Sequence, residues 1–228
     1  MKYKNIVKGT FISRPNRFIA YAMIDGKEEM CHVKNTGRCK EILTDGAECY
    51  FQHFENTNRK TKYDLIAVKK GDRLINIDSQ VPNKAFYEWV KNSGYFKCIN
   101  VIKPEQKYKN SRFDCYIEAD GKKIFVEVKG VTLEQNGVVM FPDAPTERGL
   151  KHIYELCDAV KNGYDAYLFF VIQMKDVRYF TPNRHTHPEF ADALLKAEAE
   201  GVKIRCVDCI ITDDSININK FIKYEPSK

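Results

Sequence analysis

The segment Arg112-Phe113-Asp114-Cys115-Tyr116-Ile117-Glu118, followed by Ile124-Phe125-Val126-Glu127-Val128-Lys129, constrains the fold of this chain more than any other stretch. Two short apolar runs are joined by Ala119-Asp120-Gly121, a composition that specifies a hairpin turn. Side chains alternate across a strand, so the pattern predicts Asp114, Tyr116 and Glu118 on one face of the first strand, and Glu127 with Lys129 on one face of the second. Two or three carboxylates and a lysine are then expected at one spot. Carboxylate oxygens suit a hard divalent cation such as magnesium, and a lysine beside the ion can orient or deprotonate a water that attacks phosphorus. The same residues also fit a half-exposed hairpin carrying a cross-strand ion pair, and spacing alone leaves both readings open.

Downstream, Pro142-Asp143-Ala144-Pro145-Thr146-Glu147-Arg148-Gly149-Leu150-Lys151-His152 opens an expected helix, with Thr146 as its N-cap. Arg148 and His152 lie four apart and share a helical face, which a helix following the acid-x-lysine strand would lay over the same spot. Arg148 could then grip a phosphate and His152 a phosphate or a water, while Pro142-Asp143 reads as a capping turn. Pairing of Arg148 with Asp143 is the structural alternative.

Around this core the chain divides. Short strands are expected at 6–12, 18–24, 30–33, 48–54, 63–68 and 74–77, a spacing that suggests a small barrel. From Val81 the pattern turns helical, with Ala85, Phe86, Trp89 and Val90 forming an apolar stripe, so a domain boundary is placed near residue 79. The remainder alternates: strand 96–102, hairpin 113–128, helix 146–161, strand 166–174, helix 188–200, strand 203–211. The expected architecture is α+β in two domains, residues 1–79 as a barrel and 80–228 as an α/β layer with a mixed sheet.

Hydrophobic residues make up 43% of the 228, enough for packed cores, and the longest apolar run, Ala166–Ile172, is too short to span a bilayer. No signal-like start appears, so a cytoplasmic protein without membrane attachment is expected, with its eight cysteines reduced. Cys206-Val207-Asp208-Cys209 has zinc-like spacing without a second pair, and strand packing is the expected role. The net charge is +6, and the first 80 residues, with 15 Lys+Arg against 10 Asp+Glu, hold +5 of it. Such a surface favours polyanions of any sequence through counterion release.

Three basic turns of the barrel are candidate contacts. Arg14-Pro15-Asn16-Arg17-Phe18 offers two guanidinium groups and an aromatic for stacking. Asn35-Thr36-Gly37-Arg38 offers a backbone anion nest, and Arg59-Lys60-Thr61-Lys62 further charge. Lys107-Tyr108-Lys109 supplies similar charge from the second domain. Of Phe18, Phe51 and Phe54, at least two are expected in the barrel core.

The blocks RFDCYIE, IFVEVKGVTL and FPDAPTERGLKH, with RPNRFIA and CHVKNTGR before them, resemble in order those of the sugar fermentation stimulation protein A family. The resemblance covers nearly the whole chain. It implies an oligonucleotide-binding-like (OB-fold) barrel joined to a restriction-endonuclease-like domain of the PD-(D/E)xK superfamily, with DNA binding of little sequence preference and a role in regulating sugar (maltose) use. By motif matching, Asp114, Glu127 and Lys129 fall on the superfamily's acid, acid and lysine positions, and Glu88 where an additional acid often sits.

Two classes of function follow. In the first, an Mg2+- or Mn2+-dependent nuclease, Asp114 and Glu127 hold the metal with the backbone carbonyl of Val128, Lys129 positions the water, and Glu88 assists. In the second, a non-catalytic regulator, the nuclease-like domain is a DNA-docking surface, with Arg14, Arg17, Asn35, Arg38, Arg148 and His152 as contacts in either case. The intact, costly cluster of like charges favours the first, while the resemblance attaches more firmly to DNA binding than to cleavage, so DNA binding is the leading expectation and cleavage an addition to it. DNA against RNA, single against double strand, and a dimer against a monomer stay open. No GxGxxG after a strand and no Walker-type phosphate loop is present, which speaks against a dinucleotide- or nucleotide-dependent metabolic enzyme.

Overall fold

A computed structural model describes residues 1–56 and 58–226. The first sheet contains β1 (Ile6–Ser13), β2 (Ile19–Ile24), β3 (Lys27–Val33), β4 (Glu48–His53), β5 (Tyr63–Lys70) and β6 (Arg73–Asn76) in the order β3-β2-β1-β4-β5-β6. A parallel pairing of β3 with β5 closes the first five strands into a barrel, the OB topology. Closure leaves no free edge among those strands, and the inward side chains Ala20, Ala22, Cys31, Cys49, Phe51 and Leu65 are all fully buried. Phe51 is the one phenylalanine of the three candidates in the core. Phe18 is 55% exposed and Phe54 is half-buried beneath the Arg59 guanidinium, 3.9 Å from its ring centre. The expectation of two core phenylalanines fails because Phe18 lies outside β2, where strand alternation no longer turns it inward.

The second sheet is mixed, in the order β15-β14-β12-β9-β8-β7. Its strands are β7 (Ile99–Tyr108), β8 (Ser111–Ala119), β9 (Lys122–Val131), β12 (Asp165–Ile172), β14 (Lys203–Ile211) and β15 (Ile216–Phe221). β9 and β12 run parallel, as do β12 and β14, while the other neighbours are antiparallel. A small sheet of β10 (Leu133–Gln135), β11 (Val138–Phe141) and β13 (Tyr179–Pro182) flanks it.

Three helices cover the mixed sheet: α1 (Val81–Asn92), α2 (Glu147–Lys161) and α3 (Pro188–Ala199). The α1 stripe buries Ala85, Phe86 and Val90, and Phe86 packs 4.8 Å from the ring of Phe169 on β12. Full burial of a side chain such as Phe86 contributes about 1.5–3 kcal/mol. The opposite face carries α2 and α3, which bury Ile153, Leu156, Phe190 and Leu194. Thr146 caps α2 as expected, its hydroxyl accepting from the Gly149 N–H at 3.1 Å.

Cys206 and Cys209 are buried in β14 and belong to the two different core layers, so they face opposite sides of the sheet and cannot share one ion. Side chains also join the two sheets. Glu134, buried in β10, takes Lys70 at 2.8 Å and Arg73 at 2.8 Å from the β5–β6 hairpin. Gln173, just after β12, donates to the Asn76 side chain at 2.9 Å and to the Asp78 carbonyl at 3.1 Å. Among the described residues no helix is long and apolar enough to cross a membrane.

Candidate active site

The β8–β9 ladder ends at Cys115 opposite Val126, and beyond it the two strands part. Their separation leaves the Val128 N–H without a strand partner on that side, and the Asp114 carboxylate takes it, Oδ2 accepting at 2.8 Å. Asp114 Oδ1 accepts from the Asn83 side chain at 2.7 Å, which fixes the carboxylate from the first turn of α1.

The strict alternation expected for β8 does not hold. Phe113 packs in the core layer under α2, whereas Cys115 and Ile117 pack in the layer under α1, so the strand changes face at Asp114. Tyr116 and Glu118 therefore do not follow Asp114. Tyr116 packs on Phe125, its hydroxyl donates to Glu118 at 2.7 Å, and Glu118 stands opposite Lys123. The third carboxylate does not join the cluster.

Glu127 and Lys129 share a face, as two-residue spacing requires. The Lys129 ammonium lies 2.5 Å from Glu127 Oε1, and the same oxygen meets Nδ1 of the buried His152 from the second turn of α2. The pairing of Arg148 and His152 across one helical turn thus delivers the histidine to the site as its position predicts. Glu127 is 1% exposed, and its other oxygen, Oε2, is buried with no hydrogen-bond partner. Burial pushes the Glu127 carboxyl up, but the His152 hydrogen bond and the Lys129 charge outweigh it and hold it below the usual carboxylate range. Asp114 goes the other way: burial first, then the Glu127 charge, push it up to about 6 against the Val128 and Lys129 contributions.

This donor set fits a hard divalent cation. Two carboxylates converge, one acidic oxygen is orphaned and buried, and the repulsion that raises Asp114 is what a cation would relieve. Among the described residues no group of three or more His, Cys, Asp and Glu is arranged as a metal cage, so further ligands would come from a carbonyl, such as that of Val128, or from water. Directly behind Lys129, Gly130 admits the close approach of α1 and Gln173. A Cβ there would stand 2.5 Å from Gln173 Oε1 and 2.6 Å from Pro82 Cγ.

The other expected site residues are dispersed. Glu88 is exposed and pairs with the Met1 ammonium at 2.6 Å, although it lines, with Asn83 and Asp114, an apolar cavity of about 300 Å3. Arg14 is not a free phosphate ligand. Its guanidinium donates to the carbonyls of Arg17, Asn35, Gly37 and Arg38 at 2.6–2.9 Å and staples two barrel loops together. Asn35 is likewise committed, donating to Ile77 O at 2.8 Å and accepting from the Gly37 N–H at 2.7 Å, which uses up the expected nest. Arg59 is held by Asp64.

Arg17 and Arg38 are exposed and line, with Lys40 and the segment before α2, a crevice of about 680 Å3 between the barrel and the second domain. Arg148 is exposed at the edge of the site and has no ion pair with Asp143. Asn83, Gly130 and Gln173 have no local sequence signal, since each acts on a neighbour distant along the chain.

An OB barrel joined to a mixed-sheet domain with few helices defines a two-domain α+β class. Residues 80–215 match the family model described as the sugar fermentation stimulation protein RE domain, and residues 12–77 match the SfsA N-terminal OB domain. A sugar fermentation stimulation protein homolog from Clostridium beijerinckii is 61% identical over 222 residues, covering 97% of this chain and 98% of that one. The homolog from Desulfitobacterium hafniense strain DCB-2 is also 61% identical, covering 97% of each chain. The solved structure of Pyrococcus furiosus SfsA in complex with Ca2+ superposes with a TM-score of 0.88 at 28% identity, over 99% of this chain and 98% of that one. The chain belongs to the sugar fermentation stimulation protein family.

Proposed function

We propose that this protein binds DNA with little sequence preference and hydrolyses phosphodiester bonds with a divalent metal, Mg2+ or Mn2+, held by Asp114, Glu127 and the Val128 carbonyl. The observation that carries the reading is the buried, partnerless Glu127 Oε2 beside an Asp114 whose ionisation is opposed by burial and by Glu127. The Ca2+ complex of the P. furiosus relative supports it, since Ca2+ and Mg2+ both take oxygen ligands. When bound, such an ion supplies charge neutralisation at the phosphate and a more acidic water.

The chain's own residues do the rest. Asn83 and the Val128 N–H orient the Asp114 carboxylate. His152 and Lys129 hold Glu127 through Oε1 and leave Oε2 for the cation. Lys129, anchored at the cluster, is placed to orient the attacking water and stabilise charge on the phosphate. Arg17 and Arg38 on the barrel crevice and Arg148 beside the site supply backbone contacts that carry no sequence information.

The test incubates pure protein with labelled single- and double-stranded DNA and RNA, with Mg2+, Mn2+ or chelator. Metal-dependent fragments from the wild type, absent with Glu127→Gln, support the reading. Binding without fragments under every metal leaves the DNA-docking regulator as the better account.

A further inference from the structure

The β7–β8 hairpin end is bolted to α2. Tyr108 donates to Asp158 at 2.7 Å, Ser111 to Glu155 at 2.7 Å, and the Lys109 ammonium meets Asp158. These bonds turn two acids of the third and fourth turns of α2, Glu155 and Asp158, toward the hairpin. What is left between hairpin and helix is a groove of about 480 Å3 lined by Lys107, Asn110, Ser111, Arg112, Arg148, Lys151 and His152, with no acid in its lining. Four cationic side chains therefore face one space. The side chains of Lys107 and Arg148 make no ion pair or hydrogen bond among the described residues. Arg112 and Lys151 have only long, exposed contacts, 3.6 Å to Glu105 and 3.7 Å to Glu155. Four like charges held together with only those two loose counter-charges repel, and an anion that enters relieves them.

The groove shares a wall with the catalytic cluster, because His152 lines it and holds Glu127 through Nδ1. We infer that Lys107, Arg112, Arg148 and Lys151 form a subsite for an internal phosphate of the nucleic-acid strand, the one neighbouring the bond that the metal site attacks. The inference rests on the hydrolase reading for what happens next door, but not for the binding itself. The groove is open to solvent, so a strand that enters it can continue past it, and two of the four cations are guanidinium groups that can take phosphate oxygens two at a time. It also gives the enzyme a fixed strand polarity relative to the metal, since only one neighbour of the scissile phosphate can lie in it.

The experiment measures binding of a labelled single-stranded oligonucleotide by fluorescence anisotropy across a range of salt, in Ca2+ and in an Asp114→Asn background that silences cleavage. Arg148→Gln with Lys107→Gln should flatten the slope of log affinity against log salt by about 0.7 for each phosphate that the protein no longer neutralises. The same double substitution in the otherwise native protein should lower kcat/KM on that oligonucleotide. Thermal melting of each variant checks that it is folded, and all four residues are exposed, so none should unfold it. An unchanged slope overturns the subsite. So does a weakening seen only when the oligonucleotide carries a 5′ or 3′ terminal phosphate, which would assign the groove to a chain end. If the wild type cleaves nothing but the slope flattens as expected, the hydrolase reading fails and the subsite stands.

Discussion

Replacing Asp114 with Asn should stabilise the metal-free protein at neutral pH, although the residue sits at the centre of the proposed site. The Asp114 carboxyl is pushed from an ordinary 3.8 up to about 6 by burial and by Glu127. A folded-state pKa above the unfolded one means that the folded protein binds the proton more tightly, so stability is fully present below about pH 3.8 and is lost as pH rises through 6. The gap between 3.8 and about 6 corresponds to roughly 3 kcal/mol of destabilisation above pH 7, at about 1.4 kcal/mol for each tenfold change in proton affinity. Asparagine removes the charge and keeps an oxygen for the Val128 N–H, while its amide gives up acceptance from Asn83 unless that side chain turns over. The net gain expected is about 1–3 kcal/mol, or roughly 3–9 °C in Tm for a chain of this size. Melting curves in chelator from pH 4 to pH 8 should show the variant's advantage growing between pH 4 and 6 and constant above. An Asn variant that is less stable than the wild type at pH 7.5, or a difference that does not vary with pH, would refute the idea that Asp114 is held charged against its surroundings.

Arg14→Ala should cost about 2–4 kcal/mol, because it removes a guanidinium that satisfies four carbonyls, whereas Arg17→Ala should leave urea unfolding unchanged and weaken DNA binding by a similar factor for every sequence. Gly130→Ala should destabilise by about 1–3 kcal/mol, since its Cβ meets Gln173 and Pro82 inside normal contact distance; a Tm within a degree of wild type would contradict that packing. Lys129→Ala removes a cation without removing a metal ligand, so calorimetric metal binding should persist while metal-dependent cleavage disappears.

The sequence made the acid-x-lysine strand legible because Glu127 and Lys129 obey simple alternation, and it made His152 legible because helical spacing tied it to Arg148 after a Thr146 cap. It misled at Asp114, where β8 changes faces. The switch is set by packing of Phe113 under α2 and Cys115 under α1, which no period-two pattern contains. The β10–β11 hairpin was missed although Asn136-Gly137, one of the strongest two-residue turn signals, stands between Leu133-Glu134-Gln135 and Val138-Val139-Met140. β7 also begins later and runs longer than expected, through Pro104 to Tyr108, because its pairing with β8 sustains a strand that its own polar residues would not suggest. Arg14 and Asn35 looked like exposed turn residues. That they are internal staples depends on loops meeting across the barrel rim, a distance of more than 20 residues in sequence for three of the four Arg14 bonds.

The central claim is that Asp114 and Glu127 together hold a divalent cation. Isothermal titration of Mn2+ into the wild type and into Asp114→Asn, each followed by a melting curve in the same metal, tests it most directly. The account predicts saturable binding to the wild type with a Tm that rises with metal concentration, by about 2.7 kcal/mol of added stability at a hundredfold excess over Kd, and neither effect in the variant. A wild type whose heats and melting temperature ignore Mn2+, or an Asp114→Asn protein that responds to it equally, would contradict the account.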